Sequence, residues 1–184
     1  MTRIVAAVIA LLLASPVLPL DAQQPASSRV EGQPNFSGTW KLTKQDPPPR
    51  PPRGGGAGDE ENRGANRALE VAPVTLKITQ NGNDMTFEST MSDGWVRTLQ
   101  FKLDFAYTVN PLPPGGDGGE PRLNGPTKTR GRWMGNRLFL HQTQGLGQRR
   151  DILTINGDML SIQRDYETPG GAGTTFLTFS RVTS

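Results

Sequence analysis

Phe36-Ser37-Gly38-Thr39-Trp40-Lys41-Leu42-Thr43 is the stretch that decides the fold. Phe36, Gly38, Trp40 and Leu42 share one side of an extended chain, and Ser37, Thr39, Lys41 and Thr43 share the other. A period of two with one apolar side marks a half-buried antiparallel strand. The pattern recurs downstream. Val74, Leu76 and Ile78 alternate with Thr75, Lys77 and Thr79, and Met85 and Phe87 with Thr86 and Glu88. From Trp95 to Val109 the odd positions are mostly apolar: Trp95, Leu99, Phe101, Leu103, Phe105, Tyr107 and Val109. Later strands are expected near Thr127–Trp133, Arg137–Thr143, Arg149–Ile155, Leu160–Tyr166 and Thr174–Val182.

The joints agree with this reading. Asn81-Gly82, Asp93-Gly94, Gly135-Asn136 and Asn156-Gly157 each separate two such runs, and these pairs tolerate the positive φ of tight hairpin turns. With 22 glycines and 16 prolines in 184 residues, against a usual combined share of about 12%, the chain is built from short elements and turns. The prediction is an all-β domain of about 8–10 strands in up-and-down meander order, with no long helix and no internal repeat. Closing such a meander into a barrel removes its exposed edges. A two-sheet sandwich satisfies the same periodicity.

The organisation around this domain also follows from composition. Met1-Thr2-Arg3, the apolar run Ile4–Ala14, Ser15-Pro16 and the small residue Ala22 have the parts of a secretory signal peptide over residues 1–22. The apolar run is far short of the roughly 20 residues that span a bilayer. Residues 23–34 are expected to be a disordered leader to a domain over 35–184. Two Pro/Gly-rich stretches, 45–72 and 111–126, read as long surface loops. There is no cysteine, so neither a lipid-modified cysteine nor a disulfide is expected, and the location read from the sequence is periplasmic or secreted. Twenty Lys and Arg against seventeen Asp and Glu give a small charge excess. No concentrated basic module argues for nucleic acid.

The opening strand resembles that of the calycin group, which includes lipocalins and fatty-acid-binding proteins. There a Gly-x-Trp near the start of the first strand is paired with an Arg on the last. Gly38-Thr39-Trp40 and Arg181 stand at those places, and the resemblance implies that Arg181 lies across the Trp40 ring and closes the barrel. A guanidinium over an indole is favourable by roughly 0.5–2 kcal/mol. The Asn-Phe-Ser-Gly-Thr-Trp-Lys-Leu opening and the Arg132–Leu138 hairpin are also similar to those of uncharacterised secreted bacterial proteins. Where fatty-acid-binding proteins carry two lid helices, this chain has Pro/Gly-rich sequence.

Candidate site residues are few. Leu160, Ile162, Arg164 and Tyr166 share one strand face, so Arg164 and Tyr166 could clamp a carboxylate inside an apolar interior, with Arg164 and Tyr166 snorkelling to solvent as the alternative. Phe87, Trp95, Phe101 and Trp133, with Phe176, are core aromatics of which some would line a cavity. Lys128, Arg130 and Arg132 alternate with Thr129, Gly131 and Trp133, and Arg137 follows the turn, giving an outer basic stripe if Trp133 faces inward. That stripe reads either as solvated edge protection or as a docking surface for an acidic partner or anionic envelope material. His141 is the only histidine and by itself makes neither a triad nor a metal site. The Gly170–Gly173 loop opens no helix and so makes no phosphate cradle. No cofactor, metal site or catalytic residue is read from the sequence. The expected function is non-enzymatic binding of a small apolar or amphiphilic ligand. The alternative is an envelope interaction module with a filled core, for example a protease-inhibitor-like barrel.

Overall fold

The computed structural model describes residues 32–48, 71–111, 125–169 and 171–183. The signal peptide expected over residues 1–22, and most of the stretches 23–34, 45–72 and 111–126, lie outside them. The described residues form ten antiparallel strands: β1 (Gly38–Asp46), β2 (Thr75–Asn81), β3 (Asp84–Thr90), β4 (Val96–Lys102), β5 (Thr108–Asn110), β6 (Thr127–Met134), β7 (Arg137–Gln144), β8 (Gly147–Asn156), β9 (Met159–Thr168) and β10 (Gly171–Arg181). They make one sheet in the order β4-β3-β2-β1-β10-β9-β8-β7-β6-β5. This is a meander joined through its first and last strands. Its two ends curl together, β4 lying against β5 and β6, so the sheet is a nearly closed barrel and the sandwich is excluded.

Side-chain and turn contacts stitch the seam where β4 meets β5 and β6. Asn110 acts as a short stretch of strand: its Oδ1 accepts the Gln100 N–H at 2.7 Å and its Nδ2 donates to the Gln100 carbonyl at 3.1 Å. The Thr129 hydroxyl donates to the same carbonyl. Burying polar backbone without partners costs free energy, so these contacts let the seam stay inside the molecule.

Register converts the period-two pattern into inward layers. Trp133, Leu138, Leu153, Ile162 and Leu177 are successive cross-strand partners from β6 to β10, and Ile155, Leu160, Phe179 and Leu42 form the next layer. Phe36, Trp40, Leu138, Leu153, Leu160 and Phe179 are fully buried there. Each such side chain contributes roughly 1.5–3 kcal/mol by leaving water. Trp40 pairs with Arg181, whose guanidinium carbon lies 4.2 Å from the indole centre. Arg181 Nη1 also donates to the Ser37 carbonyl at 2.8 Å, and Trp40 Nε1 donates to the Phe36 carbonyl at 3.0 Å. Gly38 sits beneath that guanidinium at φ 140°, and a Cβ there would collide with Arg181.

Three details depart from the sequence expectation. The alternation from Trp95 to Val109 holds only to Leu103. The chain then turns, Phe105 takes φ 67°, and Phe105, Tyr107 and Val109 are 36%, 54% and 60% exposed. The turn is held by Asp104 Oδ1, which accepts the Ala106 N–H at 2.9 Å, and by the Phe105 N–H, which donates to the Gly131 carbonyl at 2.9 Å. Gly171, Ala172 and Gly173, read as loop, pair with Thr168, Glu167 and Tyr166 and belong to β10. Phe176 is 53% exposed because Thr175, Leu177 and Phe179 hold the inner phase of β10.

Candidate ligand-binding site

The barrel interior changes character along its axis. Beyond the layer of Trp133, Leu138, Leu153, Ile162 and Leu177, the next inward partners are Gly131, Leu140, Asp151, Arg164 and Thr175, and after them Thr129, Gln142, Arg149, Tyr166 and Gly173. Arg97 on β4, Thr127 on β6 and Gln144 on β7 extend this polar tier. Arg97, Thr127, Gln142, Gln144, Asp151, Arg164 and Thr175 are all buried.

The contacts in the tier are specific. Arg164 Nε and Nη2 donate to the two oxygens of Asp151 at 3.1 and 3.3 Å, and Arg164 Nη1 donates to the Val71 carbonyl at 3.1 Å. Arg149 Nε reaches the same carboxylate at 3.2 Å. Arg97 Nη2 donates to Thr127 Oγ1 at 2.9 Å and to Gln144 Oε1 at 3.2 Å. Both polar atoms of the Gln142 amide are buried without a partner among the described residues, as is the Trp133 Nε1.

Two guanidiniums, Arg164 buried and Arg149 largely so, therefore share the buried Asp151 carboxylate. Burial holds the Arg149 pKa down to about 9, the charges of Arg164 and Arg97 push the same way, and Asp151 opposes them. The group is still cationic at neutral pH. Arg149 and Arg164 thus divide one carboxylate between them, and taking a charge out of water without its own counter-charge costs several kcal/mol. The unpartnered Gln142 amide, cross-strand neighbour of Arg149, offers both a donor and an acceptor beside it.

The residues singled out from the sequence distribute as follows. Arg164 and Tyr166 lie on the inner phase of β9 in adjacent layers; Arg164 is engaged by Asp151, and Tyr166 stands between Arg149 and Gly173. The Tyr166 ring covers Gly173, where a Cβ would strike its phenol. Phe87 and Phe101 are buried and pack edge to face with centroids 5.1 Å apart. Trp133 is half-buried and lies 5.9 Å from the Phe36 ring. Trp95 is half-buried ahead of β4, apart from that aromatic pair in the ladder. A surface groove of about 420 Å³ opens over β8–β10, with Tyr166, Gly173, Arg150, Asp165 and Glu167 on its walls; Arg97, Gln142, Arg149 and Arg164 do not line it. His141 is on the outer phase of β7, between Arg130 and Arg150.

Sequence reasoning missed Arg97, Gln142, Arg149 and Asp151. Their signal was phase: each occupies the apolar parity of its strand, Arg97 with Leu99 and Phe101, Gln142 with Leu138 and Leu140, Arg149 and Asp151 with Leu153 and Ile155. A polar residue in the buried phase is a site candidate because it must find a partner.

The ten-stranded meander has the fold of a nearly closed, calycin-like antiparallel barrel. Among solved structures it is similar to Echinococcus granulosus fatty-acid-binding protein 1, with TM-score 0.52 and 15% identity over 80% of this chain and 98% of that one. A secretory abundant heat soluble protein from Ramazzottius varieornatus matches with TM-score 0.50 and 14% identity over 80% and 95% of the two chains. Zebrafish ileal bile-acid-binding protein in complex with cholic acid matches with TM-score 0.48 and 17% identity over 80% and 98%. No protein-family model matches the chain, and no curated protein is similar to it in sequence.

Proposed function

We propose that this is an exported, non-enzymatic binding protein that holds a small amphiphilic ligand inside the barrel, its acidic group in the arginine tier and its apolar part against the inner aliphatic and aromatic side chains. The observation that carries the reading is that two guanidiniums, Arg149 and Arg164, share the one buried carboxylate of Asp151 beside the unpartnered Gln142, with Arg97 adding positive charge nearby. Arg164 with Tyr166 was the clamp expected from sequence. With Arg164 committed to both oxygens of Asp151, the guanidinium with more to gain from a ligand is Arg149, and Tyr166 flanks it. Phe87 and Phe101 offer an apolar wall to the tail, and Trp133 adds an indole N–H. The fatty-acid-binding protein of the same fold is named for a ligand with this division between acidic head and apolar tail, and that supports the reading. Export rests on the charged start, short apolar run and small residue of the first 22 positions.

Native mass spectrometry of protein purified gently from its own host, followed by organic extraction, tests the proposal. A reproducible bound acidic amphiphile, lost in Arg149→Gln, is the expected result. An empty protein that also fails to take up fluorescent fatty-acid probes overturns the reading and moves attention to an interaction module.

A further inference from the structure

The outer face of β5–β7 carries a second, separate chemistry. Register sets Arg130, His141 and Arg150 side by side across β6, β7 and β8, with Arg132, Phe139 and Ile152 in the next outer row. Lys128 and Arg137 extend the patch at either end of the β6–β7 hairpin. Among the described residues none of Lys128, Arg130, Arg132, Arg137 and Arg150 has a carboxylate at ion-pair distance. Asp165, which faces Arg150, instead accepts from Thr174 at 2.7 Å and Gln163 at 3.4 Å.

These cations are held in place by rings. The Arg130 guanidinium carbon lies 4.1 Å from the Phe105 centre and 4.6 Å from that of Tyr107, and its Nε donates to His141 Nδ1 at 3.2 Å. The Arg132 guanidinium is 5.2 Å from the same Phe105 ring and 5.4 Å from Phe139. Two like charges thus share one ring, and Phe105 adopts the left-handed φ of 67° where it meets them. Such a conformation is unfavourable for a bulky residue and marks a position held by its surroundings. Tyr107 and Val109, more than half exposed, stand beside the cations.

We propose that this face docks on an anionic lipid surface, Lys128, Arg130, Arg132 and Arg150 meeting the head groups while Tyr107 and Val109 enter between them. Charge complementarity selects an anionic partner, and the exposed Tyr and Val beside the cations select one with an apolar layer beneath its charge. A single-stranded nucleic acid would need open ring faces for its bases to stack on. Here guanidiniums lie over Phe105, Tyr107 and Phe139. The proposal does not depend on what the barrel holds.

Flotation of the full chain with vesicles of equimolar phosphatidylglycerol and phosphatidylcholine, against phosphatidylcholine alone, is the test. Expected are roughly tenfold or greater preference for the anionic vesicles, weakening with salt, and loss of that preference in Arg130→Gln/Arg132→Gln. Lys128→Gln/Arg137→Gln, which removes no ring contact, should weaken it in the same direction without affecting the fold. Tyr107→Ser/Val109→Ser should reduce vesicle binding while leaving retention on heparin unchanged. Lys77→Gln/Lys102→Gln, on the outer face of β2 and β4, should change nothing. Equal binding to both vesicles, or binding to anionic vesicles that both charge variants retain, overturns the proposal. So does vesicle binding insensitive to Tyr107→Ser/Val109→Ser and displaced by heparin, which would show a general polyanion surface.

Discussion

Arg164 on β9 closes on Asp151 on β8 through two parallel bonds, Nε to Oδ1 at 3.1 Å and Nη2 to Oδ2 at 3.3 Å. Both residues are buried, and the pair spans one register step inside the barrel. A two-pronged ion pair fixes orientation as well as charge. Because Arg149 leans on the same carboxylate, Asp151 anchors both guanidiniums.

Removing that anchor should be costly. Asp151→Asn leaves Arg149 and Arg164 without their shared anion, and the expected loss of folding stability is about 3–5 kcal/mol. Urea unfolding measures it. A loss under about 1 kcal/mol would show that water, not Asp151, solvates the tier.

Gln142 should behave in the opposite sense. Its amide is buried with neither atom bonded, so Gln142→Leu removes an unmet desolvation cost and should stabilise the empty protein by about 1–3 kcal/mol. Binding of an acidic amphiphile should weaken in the same variant. Calorimetric melting with and without a fatty-acid probe reads both effects, and destabilisation of the empty form would mean that a buried water partners the amide.

The Trp40 end offers a test of close approach. Gly38→Ala adds a methyl group where Arg181 lies, at a φ of 140°, and should cost about 2 kcal/mol or more. Gly94→Ala has a positive φ of 87° but nothing within 4 Å, so it should cost only about 1 kcal/mol. Equal losses at the two sites would show that backbone conformation alone, and not the Arg181 contact, decides.

His141 gives the protein a pH dependence of defined sign. Burial lowers its pKa from the ordinary 6.5, as do the charges of Arg130 and Arg150, while the hydrogen bond with Gln148 opposes the shift. The unfolded chain then binds its proton first as pH falls, so stability is full above about 6.5 and declines as pH drops through that value towards the lower folded pKa. Protonation would also place an N–H against the Arg130 donor. His141→Gln should flatten this decline in a series of urea midpoints; an unchanged slope would place the titration elsewhere.

The strands were legible because burial on one face imposes a period of two, and the hairpins because pairs such as Gly135-Asn136 and Asn156-Gly157 accept turn geometry. The break after Leu103 was not, since it depends on the Phe105 N–H reaching Gly131 and on Arg130 and Arg132 stacking over the ring. Only two residues of the candidate site were legible. Arg164 and Tyr166 stood in the phase of Leu160 and Ile162. Arg97, Arg149 and Asp151 stood in equally apolar phases, but their meaning depends on which strands become neighbours, and only the register of β7, β8 and β9 supplies that.

The most direct measurement compares cis-parinaric acid with its methyl ester as fluorescent probes of the wild-type barrel and of Arg149→Gln. If the arginine tier holds an acidic head group, the acid binds roughly tenfold or more tightly than the ester, and Arg149→Gln removes most of that difference while the ester still binds. Acid and ester binding equally well, or a preference that Arg149→Gln leaves intact, would contradict an anion site inside the barrel.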